Sequence, residues 1–461
     1  MTRAVARSSG RSSTRTSTRT ARTARTARTS TRTTAARSTS ARSTAARLAV
    51  GRAATALGQW LRRPLTSLHL VLGVFGLLTL FGLVMVLSAS SVEAYTAGGS
   101  SYSVFTKQLL FCVPGLAMFY LGLRIPPRQL RALAPVFLVV CVVLLIAVLA
   151  VGVTRNGSRA WFAVGSFTVQ PSEAAKVALT LWGAHVLVAR RAVMHRWKYA
   201  LSPVVPVTVV LFTLLVLEPD LGMTVTLGIV LVALLYYAGA PLRLMAALCG
   251  GAAAGALLLA MTASYRMSRI VAFLSPGADT DAAGFQSRQA LYSLAGGGLF
   301  GQGLGQGSAK WDYLPNAHND FIFAIIGEEL GFVGAFAVLA LFGTLAYAGL
   351  RIATRNSDPW LKLVVATSTT WLVGQAAINI AYVVGLLPVT GLTLPLISSG
   401  GTSLVVTMFV FGMLANAARH EPEAIAALRH HGQGRLARVL QLPPPEPYRP
   451  VARPAAARGV R

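Results

Sequence analysis

The stretch that decides the fold is Leu68–Ser91, "LHLVLGVFGLLTLFGLVMVLSASS". It carries no acid, no Lys and no Arg, and it is long enough to cross a bilayer as one helix, which takes roughly 17–25 apolar residues. Working outward from it, similar apolar stretches recur near 108–124, 132–153, 171–189, 202–217, 221–238, 242–262, 321–349, 360–384 and 399–418. The fold class is therefore all-α: a polytopic membrane protein of about ten transmembrane helices. Only Glu218-Pro219-Asp220 separates the fifth stretch from the sixth, which marks a tight turn or a broken helix.

Composition agrees once it is read by position. The chain of 461 residues has a net charge of +28, yet 54 % of it is hydrophobic and only 12 % charged. Residues 1–63 hold 15 Arg and no acid, and residues 419–461 hold 8 Arg and 3 Glu. The basicity sits mostly in the ends and the hydrophobicity in the middle. This excludes a soluble enzyme, a secreted disulfide scaffold and a compact nucleic-acid-binding domain. Cys112, Cys141 and Cys249 each lie alone in apolar runs, so neither a disulfide framework nor a Cys/His metal site is indicated.

Three regions follow. Residues 1–63 read as a disordered Arg/Thr/Ser-rich cytoplasmic tail suited to anionic lipid headgroups, residues 64–418 as the transmembrane domain, and residues 419–461 as a Pro/Arg-rich cytoplasmic tail, disordered or polyproline-like. A transit peptide shares the Arg/Ser-rich composition of the first tail, but no cleavage site is visible. No nucleic acid is expected as partner, because aromatic residues do not interleave the arginines. The excess of Lys and Arg in alternate short loops puts both termini inside. One extracytoplasmic loop, 263–320 between spans seven and eight, is far longer than the others and is the first place to look for a site.

Ionisable groups within or beside spans are costly and usually functional. They comprise Glu173 and Lys176, Glu218 and Asp220, His318 and Asp320, and Glu328 and Glu329. Glu173 and Lys176 are three apart and share a helix face, where they pair with each other or Lys176 meets an anionic headgroup. Asp320 opens span eight, where it, or Asn319, caps the helix or acts as a general base at its mouth, with His318 to tune it. Asp220, on a broken helix, competes for that role or partners a loop arginine. Arg155 and Arg159 lie just before Lys176 on the outside, where a basic cluster suits a diphosphate, since the guanidinium fork binds phosphate oxygens in pairs; Arg266 and Arg269 lie in the long loop. "GGGLFGQGLGQG" (296–307) is not a phosphate loop. No strand precedes it and no Lys-Ser/Thr follows, so its glycines serve turns and close backbone approach. Residues 385–403 read as a re-entrant or folded loop. Of Glu328 and Glu329, one has to face the interior or a polar partner.

Six segments in order resemble the SEDS family (shape, elongation, division and sporulation): "NGSRAWFAVGSFTVQPSEAAK" (156–176), "EPDLG" (218–222), "YRMSRIVAFLSP" (265–276), the Gly-rich run (296–307), "LPNAHNDFIFAIIGEELGFVG" (314–334) and "LLPVTGLTLPLISSGGTS" (386–403). The last looks more like the division-type FtsW branch than the elongation-type RodA branch. The resemblance implies a peptidoglycan glycosyltransferase that polymerises lipid II at the outer face of the cell membrane, in septal wall synthesis during cell division. It implies a class B penicillin-binding protein as partner, with other division proteins reached through the tails. It implies Asp320 as catalytic base for the acceptor sugar hydroxyl of lipid II or the nascent glycan strand. Arg159, Lys176, Arg266 and Arg269 would bind the lipid II diphosphate, with Glu173, Asp220 and His318 supporting. No cofactor and no dedicated metal cage are indicated; an oxygen-ligated Mg²⁺ or Mn²⁺ is compatible. Two departures stand out. The family's "HTDF" is His318-Asn319-Asp320-Phe321 here, and "PDLGT" has Met223 in place of the Thr. A lipid II flippase, an elongation polymerase and a scaffold for division proteins are the competing classes.

Overall fold

A computed structural model describes residues 51–448, except 53–54, 57, 62, 97–99, 156, 166, 192–200, 262–270, 272, 275–281, 312–313, 315–316 and 433–434. The body described below begins at Ser67. The Arg-rich tail up to residue 50, together with Arg266 and Arg269, lies outside the described residues.

Each of the ten apolar stretches is a helix. They are α1 (Thr66–Thr96), α2 (Ser103–Arg124), α3 (Pro127–Val151), α4 (Pro171–Ala189), α5 (Val204–Leu217), α6 (Leu221–Tyr237), α7 (Leu242–Met261), α9 (Ile322–Arg355), α10 (Pro359–Val383) and α11 (Gly401–Arg419). Six of them, α1, α2, α3, α9, α10 and α11, are long and apolar enough to cross a membrane by length and composition. α5, α6 and the start of α7 are shorter apolar helices. Prolines mark several boundaries. Pro127, Pro171 and Pro359 stand in first turns, where a missing N–H costs nothing.

The burial of these helices differs, and the difference locates the core. α4, α10 and α11 are buried on nearly all sides, whereas α2 and α3 expose most of their apolar surface. In a bilayer the exposed kind faces lipid. Phe75 of α1 stacks on Phe119 of α2 with centroids 4.3 Å apart and lies 5.6 Å from Phe411 of α11. Asn416 of α11 donates to the carbonyls of Gly122 and Ile125, closing the end of α2. Trp360 of α10 donates through Nε1 to the Leu181 carbonyl of α4 at 3.2 Å.

Three features depart from the reading of the sequence. The connection after α3 is a three-stranded antiparallel sheet, β1 (Val153–Arg155), β2 (Ser158–Val164) and β3 (Phe167–Val169), with Thr154 opposite Arg159 and Ala163 opposite Thr168. The Asn-Gly pair at 156–157 is a hairpin signal in the sequence that a search for spans passes over. The long connection 263–320 contains a helix, α8 (Ala282–Gly297), too short and polar to span but able to bury Ala290 and Ser293 against the body. The carboxyl-terminal segment carries α12 (Pro422–His431) and α13 (Arg435–Val439), and Pro443–Pro447 then run without helix or strand. That segment is fastened to the body: Tyr120 OH donates to the Leu440 carbonyl at 3.0 Å, and Arg419 to the Pro443 carbonyl at 2.9 Å.

α9 is broken at Gly331, where φ is 66° and ψ −164°. This conformation is essentially restricted to glycine. The break leaves helical carbonyls and amides without their usual partners, and the Gly-rich run supplies replacements. Gln302 N and Gly303 N donate to the carbonyls of Glu328 and Glu329 at 3.0 and 2.9 Å. Phe332 N and Val333 N donate to the carbonyls of Gly298 and Leu299 at 2.9 and 3.2 Å. A Cβ on Gly331 would lie 2.3 Å from Gly301 N, and one on Gly301 would lie 2.2 Å from the Glu329 carbonyl oxygen. The glycines of the run thus serve close backbone approach, as the sequence indicates. Gly331→Ala is expected to lower the unfolding midpoint of the purified protein by an amount matching at least the 1–3 kcal/mol of such backbone strain. Gly343→Ala, further along α9 where a Cβ meets nothing within 4 Å, is the control. Equal midpoints for the two variants would contradict this account.

Candidate functional site

The ionisable residues gather at the end of the body that carries the sheet. Glu173 and Lys176 lie in the first turns of α4, and their side chains are each 1 % exposed. Lys176 Nζ sits 2.9 Å from Glu173 Oε2, donates to Gln375 Oε1 at 3.4 Å and lies 4.7 Å from the centre of the Trp371 ring. The intrahelical pair is therefore formed, and the ammonium also reaches α10. A lone buried charge is expensive, and this one is held by a carboxylate, an amide oxygen and a π face.

Asp220 joins this group from the turn before α6. Its Oδ1 accepts from Met223 N at 3.0 Å as the helix N-cap, and its Oδ2 accepts from Gln170 Nε2 at 2.9 Å. Burial raises its carboxyl above the usual range. The Met223 amide opposes this, the Glu173 charge adds to it, and the Lys176 charge opposes it. Glu218, on the other side of Pro219, is pushed up to about 8 by burial and by Asp220. Asp220 is thus a structural cap with both oxygens engaged.

Asp320 is placed differently. The N-cap position of α9 is Phe321, whose side chain makes no cap bond, so neither Asp320 nor Asn319 stands at the cap position that spacing allows for them. Asp320 is fixed through its main chain instead. Its carbonyl accepts from Asn379 Nδ2 at 2.9 Å and from Tyr382 OH at 2.8 Å, while its side chain stays only half-buried. The same two α10 groups donate to the Leu392 carbonyl at 2.6 and 2.7 Å. Ser399 N donates to the His318 carbonyl at 3.0 Å. The segment 318–320 is thereby stitched to the folded loop 385–400. A Cβ on Gly391 of that loop would lie 3.6 Å from Asp320 Oδ2.

The next residue of the loop ties the two groups together. The Thr393 carbonyl accepts from Gln375 Nε2 at 2.9 Å, and Gln375 Oε1 is the oxygen that Lys176 and Trp371 share. One face of α10, Trp371, Gln375, Asn379 and Tyr382, therefore binds the Asp320 carbonyl and Lys176 directly and anchors the Leu392 and Thr393 carbonyls of the loop between them. These four residues lie at the i, i+4, i+8, i+11 spacing of a single helix face. Sequence reasoning missed them because it followed charge. The available signal was Gln and Asn four apart in an otherwise apolar helix.

The remaining predicted residues divide. Arg159 is exposed on β2 and donates to the Leu149 carbonyl at 3.1 Å, so it is not brought into contact with the Glu173–Lys176 pair. Arg266 and Arg269 lie outside the described residues. Both acids of the Glu328-Glu329 pair, rather than one, find polar partners. Glu328 Oε1 accepts from Ser308 N, Ser308 Oγ and Ala309 N at 2.7, 2.9 and 3.2 Å. Glu329 pairs with Lys310 at 3.1 Å and accepts from Ser88 Oγ at 2.6 Å. Among the described residues no three His, Cys, Asp or Glu side chains come together as a metal site.

Comparison with known proteins gives the family. Residues 68–423 match the family model for the cell cycle proteins FtsW, RodA and SpoVE. The chain belongs to this family. It is 52 % identical over 401 residues to a protein of Mycobacterium tuberculosis named probable peptidoglycan glycosyltransferase FtsW, covering 87 % of this chain and 76 % of the relative. It is 39 % identical to stage V sporulation protein E of Bacillus subtilis, over 77 % of this chain and 98 % of that protein. Among solved structures it resembles a chain from "Structural coordination of polymerization and crosslinking by a peptidoglycan synthase complex", with a TM-score of 0.63 and 29 % identity, covering 79 % of this chain and 99 % of that one. It also resembles the rod shape determining protein RodA of Thermus thermophilus, with a TM-score of 0.57, 27 % identity and the same coverage. The multi-pass membrane architecture is that of this family.

Proposed function

We propose that this protein is a peptidoglycan glycosyltransferase of the division-type FtsW branch, polymerising lipid II into glycan strands at the outer membrane face. The observation that carries the reading is the contrast between two aspartates. Both oxygens of the Asp220 carboxylate are taken up by Met223 N and Gln170, whereas the main chain of Asp320 is pinned by Asn379 and Tyr382 and the residue stands half-buried at the start of α9. A general base has to be positioned within hydrogen-bond reach of the proton it takes, and a pinned backbone serves that.

In this reading Asp320 takes the proton of the acceptor sugar hydroxyl as that oxygen attacks the anomeric carbon of the donor. The polyprenyl diphosphate leaves. Lys176, buried and shared with Glu173 at the same end of the body, would add a preorganised cation behind the diphosphate. Arg159 lies at the same end and would meet the headgroup from the exposed sheet. The sheet end then faces outward, and the Arg-rich tail lies inside by the distribution of Lys and Arg in the loops. A class B penicillin-binding protein is the partner, in line with the likeness to a chain of a peptidoglycan synthase complex.

The test uses the purified full chain in lipid vesicles with lipid II, alone and with a class B penicillin-binding protein. Glycan strands on gels are the expected product. Movement of lipid II across the bilayer without strands would replace the polymerase by a flippase.

A further inference from the structure

At the end of the body opposite the sheet, a cavity of about 490 Å³ lies between the α2–α3 turn, the end of α11 and the carboxyl-terminal segment up to Tyr448. Arg124, Arg128, Arg131, Arg419 and His420 line it, against two carboxylates, Asp358 and Glu446. Asp358 caps α10 by accepting from Trp360 N at 2.8 Å. Glu446 pairs with Arg128 at 3.2 Å, and both side chains are 69 % exposed. The other three guanidinium groups have no carboxylate within salt-bridge distance among the described residues. They donate to neutral acceptors instead: Arg124 to Tyr120 OH at 2.6 Å, Arg131 to His185 Nδ1 at 3.1 Å, and Arg419 to the Pro443 carbonyl at 2.9 Å. Arg419 is only 4 % exposed.

Cations crowded around one cavity repel each other, and an anion among them relieves that cost. Guanidinium forks bind phosphate oxygens in pairs, more strongly than they bind neutral oxygens. The segment Pro443–Tyr448 brings its own anion, Glu446, to this cavity, but through a solvent-exposed pair that holds weakly. We propose that the cavity is a phosphate site, filled by the headgroup phosphate of an anionic lipid or by a soluble phosphate, with Glu446 as the internal anion that the ligand displaces. Basic pockets between membrane helices are suited to such headgroups. The site is independent of the polymerisation chemistry at the other end.

The experiment is native mass spectrometry of the full-length protein in detergent, titrated with dioleoyl phosphatidylglycerol, with dioleoyl phosphatidylcholine, and with inorganic pyrophosphate. Phosphatidylglycerol is expected to bind more tightly than phosphatidylcholine. R124Q/R128Q should weaken that binding by about tenfold or more, the loss of one or two charge-assisted contacts. E446Q should strengthen it severalfold, a gain that misfolding does not produce. The same pattern for pyrophosphate without a lipid preference assigns the site to soluble phosphate. Binding of neither probe overturns the proposal, as does binding that R124Q/R128Q leaves unchanged or that E446Q fails to strengthen.

Discussion

Asp320→Asn is expected to cut glycan-strand formation from lipid II by about 10²–10⁴-fold, the range that a positioned general base contributes. The substitution keeps shape and removes only the ability to take the proton. It spares the contacts that place the residue, because Asn379 and Tyr382 bind the Asp320 carbonyl, which every residue has. The unfolding midpoint should therefore stay near that of the native protein while activity is lost. The measurement is lipid II polymerisation with the partner present, paired with thermal unfolding of the same preparation. Strand formation at the native rate would remove Asp320 from the chemistry. Loss of activity together with loss of folding would assign it a structural role.

Lys310→Met is the second large effect, and it acts on stability. Glu329 is fully buried and Lys310 nearly so, with the ammonium also donating to the Gly305 carbonyl at 2.6 Å. Removing the lysine leaves Glu329 with the Ser88 hydroxyl as its remaining polar partner among the contacts described above. Breaking one side of such a buried pair costs about 3–5 kcal/mol, because an uncompensated charge stays inside. The double substitution Lys310→Met with Glu329→Gln should cost clearly less than the single one. Unfolding of the three proteins under one condition tests this, and equal losses for single and double variants would show that the charge is not the cause. The site is coupled to this lock. Lys310 and Glu329 fasten the Gly-rich run beside the Gly331 break, and the run's amides bind the Glu328 and Glu329 carbonyls that end the helical segment leading from Asp320.

Much of the architecture was legible because a bilayer imposes a simple rule. Every backbone polar group has to be satisfied within its own segment, so long apolar runs are helices, and all ten proved to be. The small sheet and α8 were not legible by that rule, since both lie between spans, where water or the body can satisfy the backbone. Charge drew attention to Glu173, Lys176, Asp220 and Asp320, which the structure gathers at the sheet end of the body. It also drew attention to Arg159, whose strand turns it toward the α3 carbonyl of Leu149 instead.

The sequence by itself determined that this is a multi-pass helical membrane protein, which motifs it carries, and which few ionisable groups lie near its helices. Hydrophobic length and residue type are local properties and need no partner to be read. Only the tertiary structure decided what each group does. Whether an aspartate caps a helix or stands half-exposed beside a pinned carbonyl depends on which distant segment meets it. Gln375 and Asn379 of α10 reach Lys176 and Asp320 from far along the chain, and the carbonyls of Leu392 and Thr393 join the two groups across a folded loop.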